Sequence, residues 1–236
     1  AVSQFRRIDS PAAVDHARKR LAAVRQRVGD EIDIGVDFRG RVTKAMANWV
    51  ATELDPYDPM FYEEPVLPEH ADALGEIATS TKVPLAIGQR LYSRWDFAPL
   101  IEDGAVDIIQ PSPSHAGGIS EVRKIASNAE SADVLVSLHC PLGPISLAAC
   151  LHLDMVTPNS IVQAQSLDID QPDGNDLLAY LADPDAFNFV DGYVTAPEGP
   201  GLGIKVDEAA VREQAQSQIN WQNPIWYHDD GSVAEW

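Results

Sequence analysis

Short apolar runs, each closing on a polar side chain, recur along the first two-thirds of the chain. They are Asp33-Ile34-Gly35-Val36-Asp37, Met60-Phe61-Tyr62-Glu63, Pro84-Leu85-Ala86-Ile87-Gly88-Gln89, Val106-Asp107-Ile108-Ile109-Gln110-Pro111-Ser112, Val134-Leu135-Val136-Ser137-Leu138-His139 and Ile161-Val162-Gln163-Ala164. The tips Asp37, Glu63 and Gln89 are spaced by 26 residues each; Ser112, His139 and Ala164 follow at intervals of 23, 27 and 25. Runs of this length bounded by turn signals read as buried strands. Helical patterns fill the intervals, so the chain alternates strand and helix through short loops. The expected fold class is α/β: an incomplete TIM-like (β/α) barrel of about six βα units, its strand C-termini converging on one site.

The helices are legible too. Ser10-Pro11 supplies an N-cap and a first-turn proline, and Ala13, Val14, Ala17, Leu21, Val24 and Val28 form an apolar stripe ended by Gly29. This opening helix precedes a strand, whereas in a parallel barrel a helix follows one, and Ala1 to Ile8 leave little room for it. Further helices are expected around Ala45–Leu54, Pro68–Ala78, Trp95–Ile101 after a Ser93 cap, Val122–Ala129 and Pro144–Leu153. After Ala164 the texture changes: a short helix at Asp176–Leu181, a hairpin about Asp191-Gly192, a turn at Pro200–Ile204 leading into a last strand, and a tail with Trp221, Trp226, Tyr227 and Trp236 read as a docked arm. The expected organisation is a partial barrel over residues 1–166 and a C-terminal extension over 167–236 packed on it.

Composition changes the picture in three ways. The 45% hydrophobic content of 236 residues supports a packed core. A formal net charge of −19 argues against nucleic acid or an anionic membrane as partner. The same acid-rich, Lys-poor surface is that expected of a protein adapted to high salt, the alternative being an ordinary acidic enzyme. Cys140 and Cys150, ten residues apart in an apolar context, read as a reduced pair. With no apolar run of membrane length and no leader pattern, a cytoplasmic protein is expected.

Asp37 and Glu63 at adjacent strand ends are hard oxygen donors, suited either to Mg²⁺ or to salt bridges. Gln89 offers a weaker amide oxygen as third ligand. Arg39, two residues past Asp37, points the same way on an extended strand and pairs well with carboxylates. His139, at another strand end, is a candidate general base. His115, in Ser114-His115-Ala116-Gly117-Gly118, is a substrate-contact candidate or a surface loop residue, and Tyr92-Ser93-Arg94-Trp95 reads as helix-start packing. Cys140 is a poor nucleophile candidate, since its neighbour His139 points away from it.

These motifs give the chain a resemblance. Val36-Asp37-Phe38-Arg39-Gly40-Arg41-Val42, Phe61-Tyr62-Glu63-Glu64-Pro65-Val66, Gly88-Gln89-Arg90-Leu91-Tyr92-Ser93-Arg94-Trp95-Asp96-Phe97, Ile109-Gln110-Pro111, Ser114-His115-Ala116-Gly117-Gly118-Ile119, His139-Cys140-Pro141-Leu142-Gly143-Pro144 and Asp230-Gly231-Ser232-Val233-Ala234-Glu235-Trp236 resemble the enolase superfamily, mandelate racemase subgroup, and within it the D-galactonate dehydratase-like acid-sugar dehydratases. The resemblance implies a capping domain before a modified barrel, a small acid-sugar substrate whose carboxylate is held by Mg²⁺, a His base, and a second His that helps the hydroxyl leave. It puts Asp37, Glu63 and Gln89 at the metal-ligand positions and His139 at the base. Four positions depart from it: Gln89 stands for a ligand Glu, Arg39 for the acid His, Ser112 for the Asp that orients the base, and Ala164 for a Glu near the intermediate. Two carboxylates and a guanidinium carry the same net charge, −1, as three carboxylates around Mg²⁺, so Arg39 is expected to take the metal's electrostatic role. Dehydratase activity is expected to be lost or much reduced; an active dehydratase or isomerase with an altered acid-sugar substrate and a non-catalytic binding or structural subunit are the alternatives. The resemblance also implies that the capping domain and first barrel strands have no counterpart here. The chain is then a fragment or degraded copy, or is completed by another chain, or belongs to a homo-oligomer.

Overall fold

The computed structural model describes residues 8–140, 143–166, 178–216, 225–227 and 231–234. Five strands form one parallel sheet in sequential order: β1 (Gly35–Asp37), β2 (Phe61–Glu63), β3 (Leu85–Ile87), β4 (Ile108–Ile109) and β5 (Leu135–Val136). All three residues of β3 are buried, as expected of a parallel strand covered on both faces. The predicted strand at 161–164 is reduced to one bridge, Ser160 with Val136, and the Ile161 N–H donates to the Val136 carbonyl at 2.9 Å. Ile161 and Val162 are too exposed to behave as a core strand, and the Gln163 amide, not the backbone, continues the contact by donating to the Leu138 carbonyl at 2.9 Å.

The helices follow their apolar stripes. α1 (Pro11–Val28) starts on the Ser10 cap; α2 (Lys44–Leu54) buries Met46, Val50 and Leu54. A 3₁₀ segment, Pro68–Ala73, precedes α3 (Leu74–Ser80), which buries Leu74 and Ile77. α4 (Arg94–Glu102) opens on a capping box between Ser93 and Asp96. α5 (Ile119–Ser131) buries Val122, Ile125 and Ala129, and α6 (Pro144–Asp154) buries Leu147, Cys150 and Leu151. The α1 stripe is only half used. Val14 and Leu21 are buried, whereas Val24 and Val28 are largely exposed, and a cleft of about 280 Å³ separates α1 from the outer edge of β1.

The C-terminal third departs from the expected elements. Leu178–Tyr180 is a turn, not a helix; Asp176 and Leu177 lie outside the described residues. The Asp191-Gly192 turn is present with both residues at positive φ, closing the single bridge between Val190 and Tyr193. The Pro200 turn does not lead directly into a strand: Val206 makes one bridge to Leu181, and α7 (Glu208–Gln214) begins on the Asp207 cap. Leu181 and Phe187 join the main core, and His152 of α6 bonds the Leu202 carbonyl at 3.1 Å. In the tail, β6 (Trp226–Tyr227) pairs antiparallel with β7 (Val233–Ala234), and Tyr227 is exposed and not docked; Trp221 and Trp236 lie outside the described residues. Cys140 and Cys150 are both buried thiols, and the hydrogen bond with Cys140, followed by burial, pushes the Cys150 thiol up.

Candidate active site

The strand tips assemble at one end of the sheet. β1 and β2 are in register with Asp37 opposite Glu63, so both carboxylates project from adjacent strands at one level. The chain then turns sharply. Arg39 has φ 57° and Gly40 φ 63°, and the turn is closed by the Gly40 N–H donating to the Glu64 carbonyl at 2.7 Å. Arg39 is therefore not on an extended strand as the sequence suggested. The turn nevertheless returns its side chain to Asp37: the Arg39 N–H donates to Asp37 Oδ1 at 2.7 Å, and Nε donates to Oδ2 at 3.0 Å. Arg90 braces the turn by donating from Nη2 to the Arg39 carbonyl. The positive φ favours glycine at position 40, and a Cβ there would meet Arg90 Nη1 at 2.9 Å and push the Arg90 side chain aside.

Glu63 is pushed up to about 7 by burial first and then by Asp37 beside it; a hydrogen bond from Gln110 and the Arg39 charge oppose the shift. Its neighbour Glu64 is fully buried at φ 45°, a conformation unusual before proline, and turns away to accept the Gly88 N–H at 2.9 Å. Burial raises the Glu64 carboxyl, while the Gly88 bond and Arg90 pull it down.

Gln89 lies just past β3, and its carbonyl bonds His115 Nδ1 at 3.1 Å; among the described residues its amide group takes no partner. His115 stands between Tyr92, at a centroid distance of 6.3 Å, and His139, at 5.8 Å. His139 is lowered to about 4, by burial first and then by His115. Its Nδ1 is buried with no hydrogen-bond partner, and so is the hydroxyl of Ser112, itself fully buried. Ala164 presents only its carbonyl, which receives the Gln163 amide. Asp37, Arg39 and Glu63 are thus directly coupled, His139 and His115 form a second group, and Ser112 and Ala164 contribute no polar side-chain contact.

Several participants escaped the sequence reading. Gln110, which donates to Glu63, has no role in the strand pattern, and Glu64, expected beside Glu63 as a second acid group at the strand end, turns away to accept the Gly88 N–H. Their signal is a polar residue beside a strand end, which a buried site uses and a surface does not. Tyr92 and Trp95 were read as packing, yet they are 62% and 72% exposed, with Arg94 held over the Trp95 ring and paired to Glu121 at 2.6 Å. Tyr92 flanks the site beside the His115 ring, whereas the contact made by Trp95 is with Arg94 of its own helix.

The donor set does not fit Mg²⁺. That ion requires near-octahedral hard oxygen ligands. Here a guanidinium already pairs with the Asp37 carboxylate, and the third position offers a neutral amide oxygen in place of a carboxylate.

Comparison with known proteins adds to this geometry. A family model described as enolase C-terminal domain-like matches residues 4–210. The D-galactonate dehydratase of Xanthomonas euvesicatoria pv. vesicatoria (strain 85-10) is 46% identical over 233 residues, taking in 99% of this chain and 61% of the relative. That of Ralstonia pickettii (strain 12J) is 48% identical over 229 residues, with 97% and 60% covered. The chain thus spans about three-fifths of the length of these relatives. Among solved structures, an enolase from Agrobacterium radiobacter with bound Na and L-malate is 32% identical, with a TM-score of 0.83 over 94% of this chain and 58% of that one. A mandelate racemase/muconate lactonizing enzyme from Sulfitobacter sp. is 30% identical, with a TM-score of 0.80 over 90% of this chain and 52% of that one.

Proposed function

Because the chain belongs to the enolase superfamily as an enolase C-terminal domain-like protein, we propose that its site descends from that of Mg²⁺-dependent acid-sugar dehydratases and has lost most or all dehydratase activity. The observation that carries this reading is the state of His139. A base that takes a proton next to a carboxylate works best with a pKa near the working pH and a partner on its other ring nitrogen. His139 is held near 4, and its buried Nδ1 has no hydrogen-bond partner, with Ser112 in place of the family's orienting Asp. The acid position is Arg39, whose guanidinium stays charged and has no proton to give at neutral pH. Loss of Glu at Ala164 removes one further polar contact to a developing enediolate.

The strand ends still offer Asp37, Arg39, Glu63 and His139 to a small polar ligand. Small hydroxy acids of the acid-sugar class are the proposed ligands, by likeness to the D-galactonate dehydratases. The test is an assay for 2-keto-3-deoxy acid from D-galactonate with saturating Mg²⁺. Wild type is expected to give no turnover above background. The combined variant Arg39→His/Gln89→Glu/Ser112→Asp/Ala164→Glu is expected to gain Mg²⁺ binding. Wild-type turnover within a hundredfold of ordinary enzyme rates of ~10 s⁻¹ would overturn the reading.

A further inference from the structure

Resting on the reading that this site binds hydroxy acids, we propose that Arg39 is itself the carboxylate anchor, and that the site takes a small hydroxy carboxylate without any metal ion. Asp37 engages the Arg39 backbone N–H and Nε, at 2.7 and 3.0 Å, and so fixes the guanidinium in one orientation. Among the described residues no bond is made by the two terminal nitrogens, and the side chain is 50% exposed. That leaves the parallel N–H pair that a carboxylate accepts in bidentate form. The Arg39 backbone is braced as well, by Arg90 on its carbonyl and by the left-handed turn that Gly40 continues at φ 63°. A guanidinium braced at backbone, Nε and the neighbouring residue loses little freedom on binding, which is the condition for a useful anchor.

The ligand class follows from what lies beside the fork. Glu63, level with Asp37 on the next strand, is near enough for its charge to interact with Arg39. A bare carboxylate would meet repulsion there, whereas a hydroxyl on the adjacent carbon donates to Glu63. The site therefore selects hydroxy acids over simple dicarboxylates.

The test is calorimetry on the full chain in EDTA, with D-galactonate, L-malate and succinate as probes, joined to Mn²⁺ titration followed by electron paramagnetic resonance. Wild type is expected to bind D-galactonate or L-malate in EDTA with an affinity unchanged by added Mg²⁺. Succinate is expected to bind at least tenfold more weakly than L-malate, which differs from it by one hydroxyl. Arg39→Gln is expected to weaken hydroxy-acid binding at least tenfold, with an unchanged circular dichroism spectrum confirming that the turn survives. Wild type is expected to leave millimolar Mn²⁺ free, and Arg39→His/Gln89→Glu to bind it. Mn²⁺ binding by wild type, hydroxy-acid binding that appears only with Mg²⁺, or no binding of either hydroxy acid in EDTA would each overturn the proposal, and the Mn²⁺ result needs no variant. Mg²⁺-dependent binding without turnover would sink this inference and leave the loss of dehydratase activity standing; turnover by wild type would sink that reading itself.

Discussion

His139 and Glu63 leave opposite marks on stability. His139 titrates near 4 in the folded protein against an ordinary 6.5, so as pH falls the unfolded chain takes the proton first. Its contribution is full above about pH 6.5, is lost on descent to pH 4, and amounts to about 3 kcal/mol. Glu63 is raised to about 7 from 4.5, so its contribution is full below pH 4.5 and is lost as pH rises through 7. Urea denaturation across pH 4–8 should therefore show a flattened acid limb in His139→Gln. Glu63→Gln should show a smaller decline between pH 5 and 7. An acid limb in His139→Gln as steep as in wild type would refute the buried, unpartnered imidazole. At this scale the strand pattern placed Asp37, Arg39 and Glu63 near one another but misjudged how Arg39 and Asp37 meet. Arg39 reaches Asp37 through a left-handed turn, which the alternation of a strand does not disclose. The signal was there in Gly40, the residue that lets the turn reverse.

Elements hold these residues in place through close packing at a few points. Gly88 ends β3 at φ 135°, and a Cβ there would lie 2.5 Å from the Phe97 ring and 3.1 Å from the Gln110 N–H. Gly88→Ala is expected to cost about 3 kcal/mol or more in urea denaturation, and to loosen Gln110 from Glu63. A loss under 1 kcal/mol would mean that α4 moves away freely. The first five strand tips and the helices through α6 were legible because apolar runs and stripes report burial directly. The sixth strand was not. Ile161 and Val162 carry strand-forming side chains, but their pairing is limited to the single bridge at Ser160 and one bond to Val136. α7 was missed because it buries no residue, so no stripe marks it, and the β6–β7 pair is too short for alternation to register.

Over the whole molecule the dominant quantity is charge. With 36 acidic against 17 basic residues, self-repulsion works against the compact state, and salt screens it. The melting temperature is expected to rise between 0.1 and 2 M KCl; a fall would argue against salt adaptation. The acid-rich surface was plain from composition, whereas the coupling of Asp37, Arg39 and Glu63 required the sheet register to bring distant segments to one level. The central claim is that this register still presents a hydroxy acid to His139, but to an imidazole that no longer acts as a base. The most direct measurement is proton NMR of D-galactonate in D₂O with the full chain and Mg²⁺, following the hydrogen next to the carboxylate. The expected result is no deuterium exchange and no product over hours. Exchange at that position above the protein-free control, even without dehydration, would contradict the claim.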